Sequence, residues 1–533
     1  MAVHEISVDL AVIGGSLGGV AAALAALRQG LRVVISEESD RLGGQLTSQA
    51  VPPDEHPWIE RFGCTAGYRR LREDIREYYR RFYPLTDAAR RHPALNPGRG
   101  FVSQLCHEPL VSSAVIDAYL RPYISGQRLT VLLKHKPSAA DTDGDSLQAV
   151  TLADPAGETI TVTAPHFIDA TELGDLLPLC GAEHVVGAES QRETGEPHAA
   201  DQADPLNQQS HSWCFIIDYQ PEADNTIEKP AAYDFWRSFV PELTPAWGSP
   251  LLSWQATHPI TLEPVVRSFN PLHPRPERGP MDLWTFRRIA DRGNFAPGAY
   301  AGDIVLVNWP QIDYILGPLV GVSPEEKARH LQGARDLSLS MFYWMQTEAP
   351  RDDGGQGWPG LRLRPDITGT PDGLAAAPYI RESRRIKGCF TVREQHLSPE
   401  CQPPGATAAQ KFADSVGIGA YRIDLHPSTS GRNYIDVSAL PFQIPLGALI
   451  PQRLANLLAG GKNLSVTHIT NGCYRLHPVE WNIGEAAGLL AAFCQRSRRC
   501  CHEVYEKPEL TAEFQAMLTA CGIELQWPEL GQL

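Results

Sequence analysis

The chain has 533 residues, of which 43% are hydrophobic and 20% are charged, a composition that excludes a disordered or fibrous protein. Asp and Glu total 62 against 47 for Lys and Arg, so the net charge is −15. An acidic protein repels phosphate backbones, which argues against sequence-independent binding of nucleic acid. The 11 cysteines form no CxxC pair, so we expect reduced, mostly buried thiols in a cytoplasmic protein.

An uncharged run from Leu10 to Leu27 is the first distinct feature of the chain. Its 18 residues reach the lower limit for a membrane span. However, the run contains four glycines and follows no positively charged segment of the kind that opens a signal peptide. It divides more naturally into a buried strand ending at Ile13, a glycine turn and an Ala/Leu helix ending at Gly30. We therefore predict no membrane span.

A second apolar strand, Arg32 to Glu37, completes the βαβ pattern of a dinucleotide-binding unit. Gly14 permits the tight turn, Gly19 lets helix and strand pack closely, and the helix N-terminus offers N–H groups to a pyrophosphate. A carboxylate at Glu37 is placed to accept hydrogen bonds from a ribose diol. The middle glycine of G-x-G-x-x-G is replaced by Ser16. The residues predicted to bind the nucleotide here are Gly14, Gly15, Ser16, Gly18, Gly19, Glu37 and Glu38.

A second glycine pair follows the acid, in the segment RLGGQLTSQ that begins at Arg41. Together with GGSLGG, this segment resembles the bacterial FAD-dependent oxidoreductase family, which has a glutathione-reductase-like fold and in which Ser or Thr often replaces the middle glycine. The resemblance implies that FAD is the cofactor. It adds to the predicted FAD site Arg41, Gly43, Gly44, Gln45 and Thr47.

The resemblance recurs along nearly the whole chain. The blocks that carry it are 166–175 (HFIDATELGD), 379–386, 414–419, 442–445, 459–465 and 475–488. In the family the first of these blocks returns the chain to the flavin, and the last two form the closing FAD motif. The resemblance therefore places Ala170, Thr171, Gly461 and Asn463 in the FAD site.

The closing motif also predicts a local structure. Pro478 stands before a helical run that starts at about Trp481, and proline is suited to a helix entrance. A helix N-terminus aimed at the flavin's pyrimidine end would stabilise the negative charge that builds there on reduction. We expect Asn482 and the amides of Ile483 and Gly484 to provide these contacts.

These features predict an α/β protein with a Rossmann-like, glutathione-reductase-like FAD-binding domain that is discontinuous in sequence. An α+β substrate domain is expected to be inserted between its two parts. The predicted division is 1–185 for the first FAD-binding part, 186–448 for the inserted domain, and 449–533 for the closing part and C-terminal helices.

An arginine-rich amphipathic helix is predicted from Tyr68 to Tyr83. Its arginines are interleaved with Glu73, Asp74 and Glu77. We therefore assign them to a solvated helix face and expect no nucleic-acid partner.

Several polar side chains are candidates for catalysis. His56 follows the second glycine pair, and His468 and His477 flank the closing motif on a loop, Thr467 to His477, that we expect to run along the flavin ring. An imidazole titrates near neutrality and can accept a proton as a hydride leaves, with Glu108, Glu480 or water as the alternative. Arg381 is suited to clamp a carboxylate. No HExxH, Cys/His zinc spacing or G-x-S-x-G occurs, so no metal site is predicted.

The predicted function is an FAD-dependent dehydrogenase or oxidase that moves a hydride from a small polar organic metabolite to flavin N5. A flavin monooxygenase or reductase is the alternative within enzymes, and a flavin-binding assembly or sensor protein is the alternative of another class. The electron acceptor is left open among oxygen, a quinone and a carrier protein. A monomer or a homodimer is expected.

Overall fold

The computed structural model describes residues 4–528 of the chain. Its helices are α1 Leu17–Arg28, α2 Ala66–Phe82, α3 Asp87–Arg91, α4 Pro109–Ser125, α5 Leu176–Leu179, α6 Gln191–Thr194, α7 Tyr233–Ser238, α8 Leu283–Phe286, α9 Pro324–Thr347, α10 Pro365–Thr368, α11 His468–Tyr474, α12 His477–Ser497, α13 Cys501–Glu506 and α14 Pro508–Ala520. Its strands are β1 His4–Ser7, β2 Leu10–Ile13, β3 Val33–Glu37, β4 Leu129–Leu133, β5 Lys136–Asp143, β6 Ser146–Ala153, β7 Thr159–Thr163, β8 Phe167–Asp169, β9 His184–Val185, β10 His211–Ser212, β11 Phe215–Tyr219, β12 Gln255–Thr257, β13 Pro264–Val266, β14 Arg288–Ala290, β15 Ile304–Val307, β16 Asp313–Tyr314, β17 Leu361–Leu363, β18 Arg385–Ile386, β19 Ser415–Gly419, β20 Ile423–Leu425, β21 Ile435–Val437, β22 Phe442–Pro445 and β23 Leu457–Ala459.

A five-stranded parallel sheet in the order β23-β8-β2-β3-β4 organises the molecule. Strands β2 and β3 are buried along their whole length, as expected of central parallel strands covered on both faces. The chain runs from β2 outward to β3 and β4, then returns to the other side of β2 as β8. Ligands of open α/β sheets bind at such a reversal of strand order, outside the carboxyl ends of the strands. The protein is an α/β protein, as the sequence predicts.

Helices α1 and α12, which are far apart in sequence, pack directly on each other. A Cβ at Gly484 would overlap the carbonyl oxygen of Gly18, and one at Gly488 would overlap that of Ala22. Small residues are therefore required because the two backbones touch. This contact joins the first forty residues to the C-terminal part of the chain.

The middle of the chain forms a second framework. Its antiparallel sheet has the order β14-β15-β11-β17, and the 24-residue helix α9 packs beside it through side chains such as Ser338, whose hydroxyl donates to the Trp213 carbonyl. Short hairpins, including β20–β21, complete this region. The predicted division into 1–185, 186–448 and 449–533 stays a prediction, and its last five residues lie outside the described range.

The uncharged run at the start of the chain forms strand β2, a glycine turn and helix α1, which confirms that interpretation. Within residues 4–528, no helix is both long enough and apolar enough to cross a membrane.

The arginine-rich helix is α2, and part of the interpretation of its arginines is wrong. Arg72 and Arg76 are buried, with 2% and 1% of their surface exposed. Arg72 pairs with Glu55 at 3.0 Å and with Glu60, and Arg76 pairs with Glu60 at 2.6 Å. These arginines face inward because the loop before the helix supplies carboxylates.

Candidate functional site

A narrow cleft opens at the carboxyl edge of the parallel sheet, at the reversal of strand order. It is lined by Gly14, Ser36, Glu37, Glu38, His135, Lys136, Pro137, Thr171, Glu172 and Asp175. Gly14 has φ of +100°, and a Cβ there would overlap the backbone of Ala170 and Thr171. Only glycine fits this crossing of β2 with the loop after β8.

Glu37 ends β3 with its carboxylate held at the glycine turn. Its Oε2 accepts from the Gly15 amide at 2.9 Å, and its Oε1 accepts from the Ser39 amide at 2.8 Å. Burial raises the pKa of Glu37 to about 7, and the hydrogen bonds from Ser39 oppose that rise. Glu37 thus stands at the end of β3, and its contact with a ribose stays a prediction.

Ser16 has a structural role that the glycine fingerprint does not show. It is the N-cap of α1, and its hydroxyl oxygen accepts from the Gly19 amide at 3.3 Å. Serine is among the best N-cap residues because its side chain satisfies one of the unpaired amides of the first turn. The substitution in the middle of GGSLGG thus stabilises the helix that faces the nucleotide.

The second glycine pair forms a compact turn. Gly43 and Gly44 have φ of +109° and +45°, and the Thr47 hydroxyl closes the turn by donating to the Leu42 carbonyl at 2.7 Å. Gln45 donates to the Arg475 carbonyl at 3.0 Å. Arg41 instead contacts Asp40 and the Thr368 carbonyl, outside the cleft lining.

The predicted residues after β8 and β23 meet beside this turn. The Asn463 side chain donates to the Asp169 carbonyl at 2.9 Å and accepts from the Gly461 amide. Asp169 accepts from the Thr171 amide and hydroxyl at 3.0 and 2.7 Å. The Ala170 amide donates to the Ile13 carbonyl at 2.7 Å, so these bonds connect the carboxyl ends of the neighbouring strands β23, β8 and β2.

Three charged residues at the glycine turn, of which Lys462 and Glu480 are buried, were not predicted as cofactor contacts. Lys462 pairs with Glu172, and Glu480 accepts from the Gly18 amide at 3.4 Å and from Gln45. Oxygen Oε1 of Glu172 is buried and has no hydrogen-bond partner among the described residues. No local spacing marks this cluster, because its members come from three separate segments.

The predicted first residue of the closing helix is wrong. Helix α12 begins at His477, four residues before Trp481, with Pro478 in its first turn. The amides of Ile483 and Gly484 therefore lie in the second turn, where amides bond within the helix. The Asn482 side chain contacts strand β19 instead, donating to the Val416 carbonyl at 3.1 Å and accepting from the Ile418 amide at 3.3 Å.

A cavity of about 540 Å³ lies beside the nucleotide-binding segments, within the range of small-molecule sites. We call it the large cavity. Hydrogen bonds link it to the segment that follows the second glycine pair. Gln45 donates to the carbonyl of Arg475, which lines the cavity. The amides of Ala377 and Ile380, on either side of the lining residue Tyr379, donate to the Ser48 carbonyl and to Gln49. Its aromatic walls include Trp58, Phe101, Phe286, Tyr379, Tyr421 and Tyr434.

Charged side chains in the large cavity are mostly paired. The pairs are Arg287–Asp54 at 3.4 Å, Arg475–Asp424 at 3.2 Å, Arg381–Asp313 at 3.0 Å and Arg422–Asp436. Arg267 also lines the cavity, yet it bonds only the Pro280 carbonyl and the Met281 sulfur in the described part of the chain. An unpaired guanidinium in a partly buried cavity favours an anionic ligand.

The three predicted catalytic histidines occupy different places. His56 lines the large cavity; its Nε2 bonds the Gly63 carbonyl at 2.9 Å, and burial lowers its pKa to about 4. His468 lies at the start of α11 and pairs with Glu382 at 2.9 Å. His477 accepts from the Asp54 amide at 3.1 Å and bonds the Val51 carbonyl at 3.3 Å.

The prediction that Thr467 to His477 forms a loop is wrong, whereas the placement of His468 and His477 beside the flavin stays a prediction. The segment 468–474 is helix α11, and neither histidine lines the large cavity. Both ring nitrogens of His477 are already bonded, so it has no free acceptor for a substrate proton. Burial lowers the pKa of His477 to about 4.

Arg381 lines the large cavity, but the carboxylate that it clamps belongs to the protein. It donates to Asp313 at 3.0 Å, to the Ser212 hydroxyl at 3.0 Å and to the Ser210 carbonyl at 2.8 Å. Its role as a substrate clamp stays a prediction. The Nε atom of Arg381 is the guanidinium nitrogen that has no hydrogen-bond partner among the described residues and is left for a substrate.

The observed groups fit FAD. Gly14, Gly15, Gly18 and Gly19 form a cradle in which every added Cβ would overlap protein atoms. Glu37 provides an acceptor at the strand end, and Glu172 Oε1 is a buried acceptor left without a partner in the described residues. The N-terminus of α1 carries the positive end of the helix dipole, which favours phosphate.

The family model for "FAD dependent oxidoreductase" matches residues 9–518 of the chain. The chain belongs to the FAD-dependent oxidoreductase family. It is accordingly an enzyme with FAD as its cofactor, as the sequence predicts. No curated protein matches it.

Solved flavoprotein structures resemble this family member weakly. The OxyS anhydrotetracycline hydroxylase from Streptomyces rimosus is 11% identical, with 97% of this chain and 67% of that chain covered and a TM-score of 0.33. A geranylgeranyl bacteriochlorophyll reductase-like protein from Thermoplasma acidophilum is 9% identical, with 97% and 84% covered and a TM-score of 0.33. The L-proline dehydrogenase from P. horikoshii is 17% identical, with 36% of this chain and 25% of that chain covered and a TM-score of 0.18. This chain thus spans a quarter of that enzyme, and none of these likenesses indicates its reaction.

A buried group away from the nucleotide cleft brings three possible metal ligands together, and the absence of a metal site stays a prediction. His166, Cys494 and Cys501 bring ligand atoms within 4.8 Å of one another. The two sulfurs lie 3.7 Å apart. No spacing in the sequence reveals this group, because His166 precedes β8 while the cysteines belong to α12 and α13.

Proposed function

We propose that this FAD-dependent oxidoreductase is a dehydrogenase or oxidase that takes a hydride from a small polar organic substrate held in the large cavity. The proposal is supported by a cavity of about 540 Å³ whose lining residue Arg475 accepts a hydrogen bond, through its carbonyl, from Gln45, which directly follows the second glycine pair. FAD, when bound, supplies the two-electron acceptor at N5.

Residues of the chain are proposed to bind the cofactor, orient the substrate and exclude water. The glycine turn and Glu37 hold the nucleotide half of the cofactor, with Glu38, Ala170, Thr171, Gly461, Asn463 and Pro478 proposed to border it. The Arg475 guanidinium donates to the Tyr379 hydroxyl at 3.1 Å, and this pair presents polar groups to the substrate. The aromatic walls exclude water from the apolar part of the substrate.

Arg267 supports a substrate that carries an anionic group. Its charge is not matched by a carboxylate among the described residues, whereas the other four cavity arginines are paired. Binding an anion would satisfy this guanidinium with charge-assisted hydrogen bonds worth about 1.5–3 kcal/mol each.

Anaerobic mixing tests the proposal. The holoenzyme is mixed with a panel of alcohols, hydroxy acids and amino acids, and the flavin absorbance is followed. Bleaching by a member of the panel supports dehydrogenation. Bleaching by NADH or NADPH alone would replace it with a monooxygenase or reductase, and flavin that stays oxidised with every reductant would indicate a flavin-binding assembly or sensor protein.

The proposal also covers the electron acceptor, the number of chains in the assembly and the cellular location. Oxygen, a quinone and a carrier protein are the acceptor classes to test after reduction by the substrate. A monomer or homodimer in the cytoplasm remains the expected form.

A further inference from the structure

His426 forms a pair with Asp313 that no sequence motif indicates. The His426 Nδ1–H donates to Asp313 Oδ2 at 2.6 Å. His426 follows strand β20 and lines the large cavity, whereas Asp313 begins β16 and is 2% exposed. The pair therefore joins a buried carboxylate to an imidazole at the cavity wall.

Asp313 is held rigidly from its other side. Its Oδ1 accepts from Arg381 at 3.0 Å and from the Ser212 hydroxyl at 2.5 Å. Although burial acts to raise the pKa of Asp313, Arg381 and His426 hold it below its usual value. Asp313 is thus an ionised acceptor that keeps the proton on Nδ1 of His426 and leaves the lone pair on Nε2.

The Nε2 atom of His426 is available to a ligand. Among the described residues, the carboxylate oxygen nearest to it is Asp424 Oδ2 at 3.8 Å, too far for a hydrogen bond. The side chain is 19% exposed, and Tyr434 packs against its ring at a centroid distance of 5.4 Å. His56, by contrast, uses its Nε2 on the Gly63 carbonyl and has a buried Nδ1.

We propose that Nε2 of His426 accepts the substrate's proton, with Asp313 and Arg381 as positioning residues. This inference rests on the proposed function. In the step, an O–H or N–H bond of the substrate breaks and its proton goes to Nε2. The electron pair left on oxygen or nitrogen forms a C=O or C=N bond, while the C–H bond gives its hydride to oxidised flavin.

One test needs no substrate. The holoenzyme is treated with diethyl pyrocarbonate, which modifies neutral imidazole nitrogens that it can reach, and the histidines are mapped by peptide mass spectrometry. We expect modification of His426, with exposed His92 as the positive control and buried His107 and His477 as negative controls. Labelling of His92 without labelling of His426 would overturn the proposal, because Nε2 would then be closed to small molecules.

The second test uses the first panel compound that bleaches the wild-type flavin. His426→Gln should keep full FAD content while flavin reduction slows about 10²–10⁴-fold, the usual cost of losing a general base. Imidazole added to His426→Ala should restore part of the rate. Reduction of His426→Gln at the wild-type rate would overturn the proposal.

The variant Asp313→Asn tests whether Asp313 positions His426 or only supports the fold. Loss of its charge beside His426 should move the pH profile of flavin reduction to lower pH, with Asp424, Tyr434 and Arg475 left in place around the ring. Asp218→Asn is the matched control, because Asp218 is also buried and pairs with two arginines outside the cavity. Equal pH profiles in wild type, Asp313→Asn and Asp218→Asn would exclude Asp313 as a positioning residue.

The proposed function and this inference can fail separately. A flavin that no compound bleaches would defeat the proposed function, while the labelling result would still decide whether Nε2 of His426 is open to small molecules.

Discussion

Single residues in this protein have chemistry set by where the fold buries them. Glu37 is the clearest example, because a carboxylate expected to be ionised has its pKa raised to about 7 by burial. In the folded apoprotein Glu37 therefore binds more protons than the unfolded chain between about pH 4.5 and 7. Its contribution to the free energy of unfolding falls as the pH rises across that window.

This shift predicts a pH-dependent affinity for FAD. A ribose hydroxyl donates more strongly to a carboxylate than to a neutral carboxyl, a difference of about 1–2 kcal/mol. The affinity of the apoprotein for FAD should rise about three- to eightfold from pH 6 to pH 8, because this interval spans only part of the titration; fluorescence titration measures the change. Glu37→Gln should lose this dependence. The same rise in wild type and Glu37→Gln would show that another group, such as Asp169, controls binding.

Arg267 gives a second prediction at this scale. Benzoate, a small carboxylate probe, should perturb the flavin absorbance of the holoenzyme and bind more tightly than benzamide. Arg267→Met should weaken benzoate binding about tenfold or more, the value of one charge-assisted hydrogen bond. Arg422→Met is the matched control, because Arg422 lines the same cavity but already pairs with Asp436. Equal losses in the two variants would remove Arg267 from anion recognition.

At the scale of elements, the α1–α12 contact links cofactor binding to stability. Gly484→Ala would place a Cβ on the Gly18 carbonyl, so the helices must separate at the glycine turn. We expect a cost of about 1–3 kcal/mol and a lower FAD content after gel filtration. Gly302→Ala is the control, since its Cβ would meet the Tyr219 carbonyl at an ordinary 3.5 Å. Unchanged melting temperature and FAD content in Gly484→Ala would contradict this account.

The sequence predicts β2, α1 and β3 well because strand burial, the glycine turn and the helix stop are all local signals. It places α12 four residues late because the helix start depends on His477, which bonds the distant Asp54 amide. It misses His426 altogether. His426 gains its carboxylate partner only in the folded chain, where β16 places Asp313 beside it. The two residues are 113 positions apart in the sequence, so no local pattern indicates the pair.

At the scale of the whole molecule, the central claim is that the large cavity is where substrate meets flavin. The sequence predicts the cofactor from recurring motifs, but it cannot predict the cavity, whose walls come from segments between residues 54 and 475. The C-terminal part of the chain meets the middle segments where α12 packs on β19 and α11 packs on β20.

A crystal structure of the oxidised holoenzyme tests this claim most directly. We expect the isoalloxazine ring to lie against the wall formed by Gln45, Tyr379 and Arg475, with one face open to the large cavity and His426 across from it. A flavin ring separated from the large cavity by a closed layer of protein would show that the substrate does not meet the flavin there.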